Sequence, residues 1–290
     1  MALIPLFIRD RYIVESFIPI VLVYVIYSSS WNLLAYSGQA SLGHAAFLGI
    51  GGFASALLSS ERYWHISPWF CMFLGSAIAS GIGFLIGLTC VRLREWFLAM
   101  VTFGFAVIAQ TVTTALDKSI GGILGFPPEP LVSSPIQLYY VILALTGASV
   151  FFIYLIMKSK IGLAFNAIRE NEVEAKMMGV NTTKYKLLAF VISTFFAGLA
   201  GVLQSQQAAF IDVEVYKAEN SFTPLVMSII GGLGSIEGPI IGSVTIRFID
   251  ELLYGVPVIK WIINGVFLVS VVIFLPKGIS SLIRKALKRK

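Results

Sequence analysis

Polar side chains that could bind a solute or carry a proton stand inside the first long apolar run of the sequence. His44 is the only histidine well inside such a run, and Gln39, Ser41 and Gly43 precede it closely. Ionisable residues are costly within a membrane, and they tend to mark transport or proton pathways. A lone histidine there either relays protons or, more commonly, forms hydrogen bonds that fix a break in a helix.

Two apolar segments are interrupted by glycine, residues 37–60 and residues 222–260. Such segments near the two ends of a chain indicate a transport path, because irregular backbone at membrane depth must be buried or line a cavity. Small residues also permit close helix packing, and both interpretations stay open. The candidate residues of a translocation path are Gly38, Gln39, Ser41, Gly43, His44, Thr102, Gly231, Gly232 and Gly234.

The sequence lacks the motifs of several enzyme classes. It has no G-x-x-x-x-G-K-[ST] phosphate loop, no H-E-x-x-H or paired-cysteine metal pattern and no G-x-S-x-G elbow. Cys71 and Cys90 stand in one apolar run and offer neither a disulfide framework nor metal-ligand spacing. We therefore expect a chain that is not an enzyme and that holds no cofactor or metal of its own.

The composition excludes most soluble classes of protein. Of 290 residues, 57% are hydrophobic and only 12% are charged, and the mean hydropathy is +0.87. A soluble domain could not bury so much apolar surface with so few charges to cover it. The net charge of +6 comes largely from basic clusters at 158–186 and 277–290, so we expect no nucleic acid partner. The composition indicates a polytopic α-helical membrane protein.

Long stretches without charged residues locate the membrane spans. A span needs roughly 20 apolar residues, and the charge-free stretches predict spans at 14–34, 68–90, 96–116, 136–157 and 187–211. The glycine-rich segment 37–60 either crosses or is re-entrant. Beyond residue 222, three short crossings (222–235, 238–256 and 258–276) or one crossing plus a re-entrant hairpin would fit. We predict an all-α polytopic integral membrane protein, a single domain over 1–290, with about 8–9 transmembrane helices and broken or re-entrant glycine-rich segments.

Basic residues predict which loops face the cytoplasm. The loop 158–186 contains six basic and three acidic residues, and the tail 277–290 contains six basic residues. By the positive-inside rule both are cytoplasmic, as is the loop 92–95 with Arg92 and Arg94. The loops 117–135 and 212–222 are then external. The N-terminus lies outside if 37–60 crosses fully, and it can lie inside if that segment is re-entrant.

The loop 158–186 has the pattern of a short amphipathic helix. Phe165, Ile168, Ala175 and Met178 recur at roughly helical spacing among charged residues. Gly179 suits the C-terminal cap of this helix, and Asn181 or Thr182 suits the N-cap of the next. Such a helix either docks a soluble partner or lies flat on the lipid surface.

Four segments, taken in order, resemble one family. They are SGQASLGHAAFLGIGGF (37–53), LAMVTFGF (98–105) with SIGGILGFP (119–127), AIRENEVEAKMMGVNTTKYKLLAFVISTFFAGLAGVL (167–203) and SFTPLVMSIIGGLGSIEGPIIGS (221–243). Together they resemble the integral-membrane permease of branched-chain amino acid ABC importers, and specifically the M-type partner of the usual H/M pair. The resemblance covers nearly the whole chain.

The resemblance implies a pore-forming subunit of a binding-protein-dependent importer in the prokaryotic cytoplasmic (inner) membrane. It implies a second, H-type permease, two ATP-binding cassette ATPases that hold ATP and magnesium, an extracytoplasmic solute-binding protein and an amino acid substrate. It also implies that the loop 158–186 contains a coupling helix that docks on the ATPase. The coupling residues that this implies are Ala167, Arg169, Glu170, Glu174, Ala175 and Gly179.

Three other functions are compatible with the sequence. One is an ABC permease of the same superfamily for another small solute, such as an amide, urea, a sugar or a nucleoside. Another is an ion-coupled secondary carrier, which the absence of carboxylates in the middle of the predicted spans disfavours. A membrane scaffold without transport is the third. The partner proteins that co-purify with the chain would distinguish these functions.

Overall fold

The described part of the chain is helical. A computed structural model describes residues 12–60, 64–93, 95–116, 125–253, 255, 257–275 and 278–281. Within them, five helices are long and apolar enough to cross a membrane: Ile13–Tyr36, Pro68–Cys90, Trp96–Ala115, Pro135–Lys158 and Thr182–Ala208. All five coincide with predicted spans to within a few residues, whereas the total of about 8–9 crossings stays a prediction.

Local sequence signals explain where these helices begin and end. Proline stands in the first turn of several helices, where its missing N–H costs no hydrogen bond, and Asn181 caps another by accepting a hydrogen bond from the Lys184 amide. In chain order the helices are α1 (Ile18–Tyr36, preceded by a π-helical turn, Ile13–Phe17), α2 (His44–Ser59), α3 (Pro68–Cys90), α4 (Glu95–Ala115), α5 (Pro135–Lys158), α6 (Lys160–Glu170), α7 (Glu172–Met177), α8 (Thr182–Ala208), α9 (Ala218–Gly231), α10 (Glu237–Leu252) and α11 (Pro257–Phe274).

Two groups of contacts define the two ends of the bundle. At one end, which we name the loop end, the segment 159–181 lies beside residues 36–38, 91–93 and 232–235. At the other, the far end, Gln207 Nε2 donates to the Glu15 carbonyl (2.8 Å) and Tyr12 Oη donates to Glu251 (2.9 Å). Residues 12–15 therefore lie at the opposite end from the segment 159–181.

The first glycine-rich segment forms an irregular stretch followed by a short helix. Gly38 has φ +77° and turns the chain after α1. The non-helical residues 39–43 then lead into the bundle, and α2 continues towards the far end, where Phe53 stacks on Tyr216. The segment therefore runs between the two ends, although only α2 is helical.

The second glycine-rich segment contributes to a group of three short helices. The turn between α9 and α10 lies at the loop end, where Asn32 Nδ2 donates to the Ser235 carbonyl (2.8 Å). Helix α10 then extends to Glu251 at the far end. After α11 the chain is back at the loop end, where Gly278 lies against Gly232. The region thus has three short helices, and whether they form three crossings or one crossing with a re-entrant hairpin stays a prediction.

The segment 158–186 contains two short helices where the sequence suggested one. Asn171 has extended backbone (φ −158°), and its side chain accepts hydrogen bonds from the Val173 and Glu174 amides. It therefore ends α6 and caps α7. Gly179 follows α7 with φ +85°, a conformation that favours glycine. Both predicted caps, Gly179 and Asn181, are confirmed, but the predicted single helix is broken.

Glycine permits the close packing of α2, α3 and α8 at the centre of the bundle. A methyl group added to Gly201 of α8 would overlap the Leu48 carbonyl oxygen of α2. One added to Gly51 would lie 2.5 Å from Gly198 Cα. Because carbon and oxygen atoms cannot approach this closely, these positions exclude any side chain.

Candidate translocation core and coupling surface

His44 is a hydrogen-bonded junction between three helices. It is fully buried at the start of α2, and its Nε2 lies 3.1 Å from Ser30 Oγ of α1 and 3.3 Å from Ser193 Oγ of α8. The Tyr27 ring packs against the imidazole with 5.6 Å between ring centroids. Among the described residues, Nδ1 has no hydrogen-bond partner. The geometry fits a histidine that fixes the break before α2, while a proton-relay role stays a prediction.

Replacing His44 with alanine should lower the thermal stability of the protein. The change removes the contacts to Ser30 and Ser193 and leaves a cavity, a combination that costs roughly 3–5 kcal/mol for a large buried ring. Thermal unfolding in detergent would measure this loss, and His44→Gln, which keeps a hydrogen-bonding group, should restore part of it. Full stability of His44→Gln together with abolished uptake would contradict a structural role and favour a proton relay.

Several polar groups of the irregular segment before α2 form hydrogen bonds inside the protein. The Leu42 amide donates to Thr102 Oγ1 (3.1 Å), and Trp31 Nε1 donates to the Ser41 carbonyl (2.8 Å). Gln39 Nε2 donates to the Lys186 carbonyl (2.9 Å). This is the environment that buried, non-helical backbone at membrane depth requires.

The other candidate path residues pack closely in this structure. A methyl group at Gly43 would overlap the Thr102 carbonyl oxygen, and one at Gly231 would overlap the Gly238 carbonyl oxygen. Gly38 and Gln39 line a cleft of about 10 Å³, which has room for little more than one water molecule. The packing interpretation therefore accounts for these positions here, and their role in a path stays a prediction.

Arg169 brings the two glycine-rich segments together. Its guanidinium carbon lies 5.2 Å from the centre of the Tyr36 ring, within the range of a cation–π contact. A Cβ added to Gly38 would lie 3.2 Å from Arg169 Cα, and one added to Gly234 would overlap the guanidinium. The Gly234 amide also donates to Asn32 Oδ1 (2.8 Å). One side chain of the loop thus contacts the turns after α1 and after α9.

The helices α6 and α7 present a mixed apolar and acidic surface. Phe165, Ile168 and Ala175 are buried against the bundle. Met177 and Met178 are instead 80% and 86% exposed, so Met178 does not belong to the buried face that the spacing suggested. We name the pair of helices α6 and α7 the elbow, and its exposed side the elbow surface. This surface carries Met177, Met178 and the carboxylates of Glu170, Glu172 and Glu174. Exposed methionines flanked by charges are typical of a protein-binding surface.

The remaining coupling candidates divide between the two sides of the elbow. Ala167 is half-buried, as is Arg169, whereas Gly179 is exposed beyond α7. Lys186 at the start of α8 forms an ion pair with Glu172 and ties α7 to the bundle. The inner residues can therefore transmit a displacement to the bundle, and the outer ones can contact a partner.

Sequence reasoning missed a charged cavity between α1, α9, α10 and α11. Arg247 donates from Nη1 to Asp250 Oδ2 (3.3 Å), and its guanidinium carbon lies 3.4 Å from the centre of the Tyr24 ring. The side chains of Arg247 and Asp250 are only 16% and 12% exposed. The cavity measures about 440 Å³. The signal for it in the sequence was a group of charges, Arg247, Asp250 and Glu251, in a largely apolar stretch.

A second, more polar cavity of about 350 Å³ opens at the far end. Asp212, Glu214 and Lys217 line it, and it shares Glu219 and Asn220 with the charged cavity. The hydrogen bond from Lys217 to Glu214 (2.6 Å) raises the pKa of the lysine and so favours its charged form. The far end therefore presents charged groups of both signs beside the charged cavity.

Several predictions concern residues outside the described ranges. These are the position of Arg9 and Arg11, residues 61–63 of the loop 61–67 that the resemblance to importers makes external, Arg94, residues 119–124 of SIGGILGFP and the basic tail from 282 onward.

Comparison with known proteins places the chain among transport proteins. Residues 13–275 match the family described as branched-chain amino acid transport system / permease component. The high-affinity branched-chain amino acid transport system permease protein LivM of Salmonella typhimurium is 29% identical over 93% of this chain and 70% of its own length. The LivM protein of Escherichia coli is 28% identical over the same shares. The xylose/arabinose import permease protein XylH of Sulfolobus acidocaldarius is 26% identical over 77% of this chain and 64% of its own. No solved structure shows a significant match.

Proposed function

Because this chain belongs to the family of branched-chain amino acid transport permease components, we propose that it is the transmembrane permease subunit of an ATP-driven importer. The importer moves branched-chain amino acids into the cytoplasm of a prokaryote. The chain is a multi-pass membrane protein of the LivM type. ATP and magnesium are bound by two separate ATPase subunits, and the chain itself transports rather than catalyses.

The elbow surface is the observation that carries this proposal. Met177 and Met178 are exposed in a polar loop, where apolar side chains gain nothing from water or from the hydrocarbon core. The inner side of the same elbow contacts the bundle through Phe165 and Arg169. A soluble ATPase that binds the outer side could therefore displace the turns that follow α1 and α9.

The loop end faces the cytoplasm in this proposal. The positive-inside rule supports the orientation, because six basic residues stand between 158 and 186. The far end then faces the extracytoplasmic solute-binding protein, which would dock near residues 212–219. A second, H-type permease completes the path through the membrane at an interface between the two permeases.

The mechanism is alternating access driven by the ATPases. ATP binding brings the ATPase subunits together, the elbow moves with them, and Arg169 transmits the movement to the two glycine-rich turns. Helices α2 and α9 are short and begin inside the bundle, where the Ala45 amide donates to Ser221 Oγ (3.2 Å). Broken helices of this kind allow one part of a transporter to rock against another.

A sugar importer is the second candidate function, and the similarity to the xylose/arabinose permease XylH favours it. The two candidates share the ATPases and the mechanism, and they differ in the solute-binding protein. Purification of the complex from native membranes in mild detergent, with mass spectrometry of every associated chain, tests both. Recovery of the chain alone, with transport driven by an ion gradient, would overturn the importer.

Replacing both Met177 and Met178 with aspartate should abolish binding of the ATPase subunits. The change puts two further negative charges into an apolar contact, and central contacts of this kind are worth more than about 2 kcal/mol. Co-purification with the tagged permease would measure the loss. Trp64→Asp is the matched control, because Trp64 is 72% exposed and precedes α3 at the far end. Equal ATPase recovery with both proteins would show that the elbow surface is not the docking site.

A further inference from the structure

The charged cavity between α1, α9, α10 and α11 has a buried donor without a partner. Arg247 Nε is buried and forms no hydrogen bond among the described residues. Its Nη1 is used by Asp250, and its guanidinium plane is held against the Tyr24 ring. A buried unpaired N–H is uncommon in a folded protein, and an anionic ligand oxygen is one group that would satisfy it.

The charges around this cavity are of both signs. Arg247 supplies a cation, while Asp250 and Glu219 supply carboxylates on the same lining. A ligand that carries an ammonium and a carboxylate on adjacent atoms would pair with both. A sugar or an amide carries neither charge and would form no ion pair with these groups.

One wall of the cavity is apolar. Phe222, Val226, Ile246 and Leu268 form this wall, and the cavity volume of about 440 Å³ lies within the range of small-molecule sites, roughly 300–1,000 Å³. An aliphatic side chain of four carbons would gain from burial against it. One side of the cavity thus suits a charged head group and the other suits a hydrocarbon.

The cavity has a route from the far end. Glu219 and Asn220 line both it and the polar cavity that contains Asp212 and Lys217. The Asn220 carbonyl accepts a hydrogen bond from Tyr27 Oη (2.9 Å), which fixes the first turn of α9 between the two cavities. A solute released at the far end would meet these residues before the closely packed centre of the bundle.

We propose that this cavity is the transient binding site for a zwitterionic aliphatic amino acid within the permease. Arg247 binds the carboxylate, Glu219 and Asp250 bind the ammonium, and the apolar wall contacts the side chain. The proposal rests on the function proposed above and adds to it the residues that contact the substrate. It also selects amino acids over sugars from the chemistry of the cavity itself.

The test uses the assembled transporter with L-leucine as the probe. Millimolar L-leucine should raise the unfolding temperature of the wild-type complex, because a ligand that binds only the folded state stabilises it. Arg247→Gln combined with Asp250→Asn, which removes both members of this ion pair, should lose this stabilisation and should lower leucine uptake at least about tenfold. Glu251→Gln is the matched control, since it removes a neighbouring charge of α10 outside the cavity lining, and it should keep the stabilisation.

The outcomes separate this proposal from the proposed function. A wild-type complex without stabilisation by leucine, or a double variant that keeps both the stabilisation and the uptake, would overturn the site. Arg247→Lys guards against a folding defect, because it keeps the charge but not the planar guanidinium, and it should fold normally while taking up leucine more weakly. Failure of the wild-type complex to bind ATPases or to import leucine would instead refute the function itself.

Discussion

Replacing Gly201 with alanine is expected to prevent the folded bundle from forming. The added methyl group would overlap the Leu48 carbonyl oxygen, which is backbone and cannot rotate away. Separating α8 from α2 would also loosen the contact of Gly51 with Gly198. Overpacking of a rigid core costs about 1–3 kcal/mol and more where backbone is involved. The yield of monodisperse protein and its unfolding temperature in detergent would measure the effect.

Gly147 provides the matched control for this prediction. It lies within α5, and a Cβ added there has no neighbouring atom within 4 Å. Gly147→Ala should be neutral or stabilise the helix by up to about 1 kcal/mol, since alanine has the higher helix propensity. Similar yields and unfolding temperatures for Gly147→Ala and Gly201→Ala would refute the close packing of α2 against α8.

Replacing Arg169 with alanine is expected to uncouple ATP hydrolysis from uptake. Arg169 contacts Tyr36, Gly38 and Gly234 on the inner side of the elbow, so its loss should leave ATPase docking intact while the turns no longer follow the elbow. We expect leucine uptake in proteoliposomes to fall at least about tenfold, in line with lost charge-assisted contacts, at an unchanged rate of ATP hydrolysis. The structure thus assigns this effect to Arg169 more than to its neighbour Glu170, which is 69% exposed.

Lys184→Ala is the charge-matched control for Arg169→Ala. Lys184 is exposed at the start of α8, so its replacement removes one positive charge from the same loop end without touching the glycine-rich turns. It should keep both hydrolysis and uptake. Normal uptake by an Arg169→Ala/Glu170→Ala double variant would disprove the coupling role of this segment.

Features that depend on neighbouring residues could be predicted from the sequence, whereas contacts between residues far apart in the chain could not. The span 68–90 was predicted with the bounds it has in the structure, because charge gaps report burial in lipid directly. The caps at Gly179 and Asn181 were also predictable, since capping depends on neighbouring residues. His44 was found as a candidate, but its partners Ser30 and Ser193 come from two other helices. No local pattern contains that information.

The helix pair at Asn171 and the cavity at Arg247 show two further limits. The apolar period of 163–178 continues across Asn171, so the pattern predicted one helix, and only the extended backbone of Asn171 reveals the break. Arg247 and Asp250 lay in a segment whose path through the bundle was left open between two arrangements. That they line a cavity follows only from the position of α10 beside Tyr24 of α1, and tertiary packing alone determines this position.

The contact between Gly232 and Gly278 has a consequence for how the protein is made. A methyl group at Gly278 would overlap backbone of Gly232, and Ser280 Oγ lies 3.3 Å from Ser235 Oγ. The turn between α9 and α10 therefore lacks one of its walls while the ribosome is still synthesising α11. Until residues 278–280 emerge, that turn stays uncovered on this side, and this part of the bundle closes only after α11 has been made.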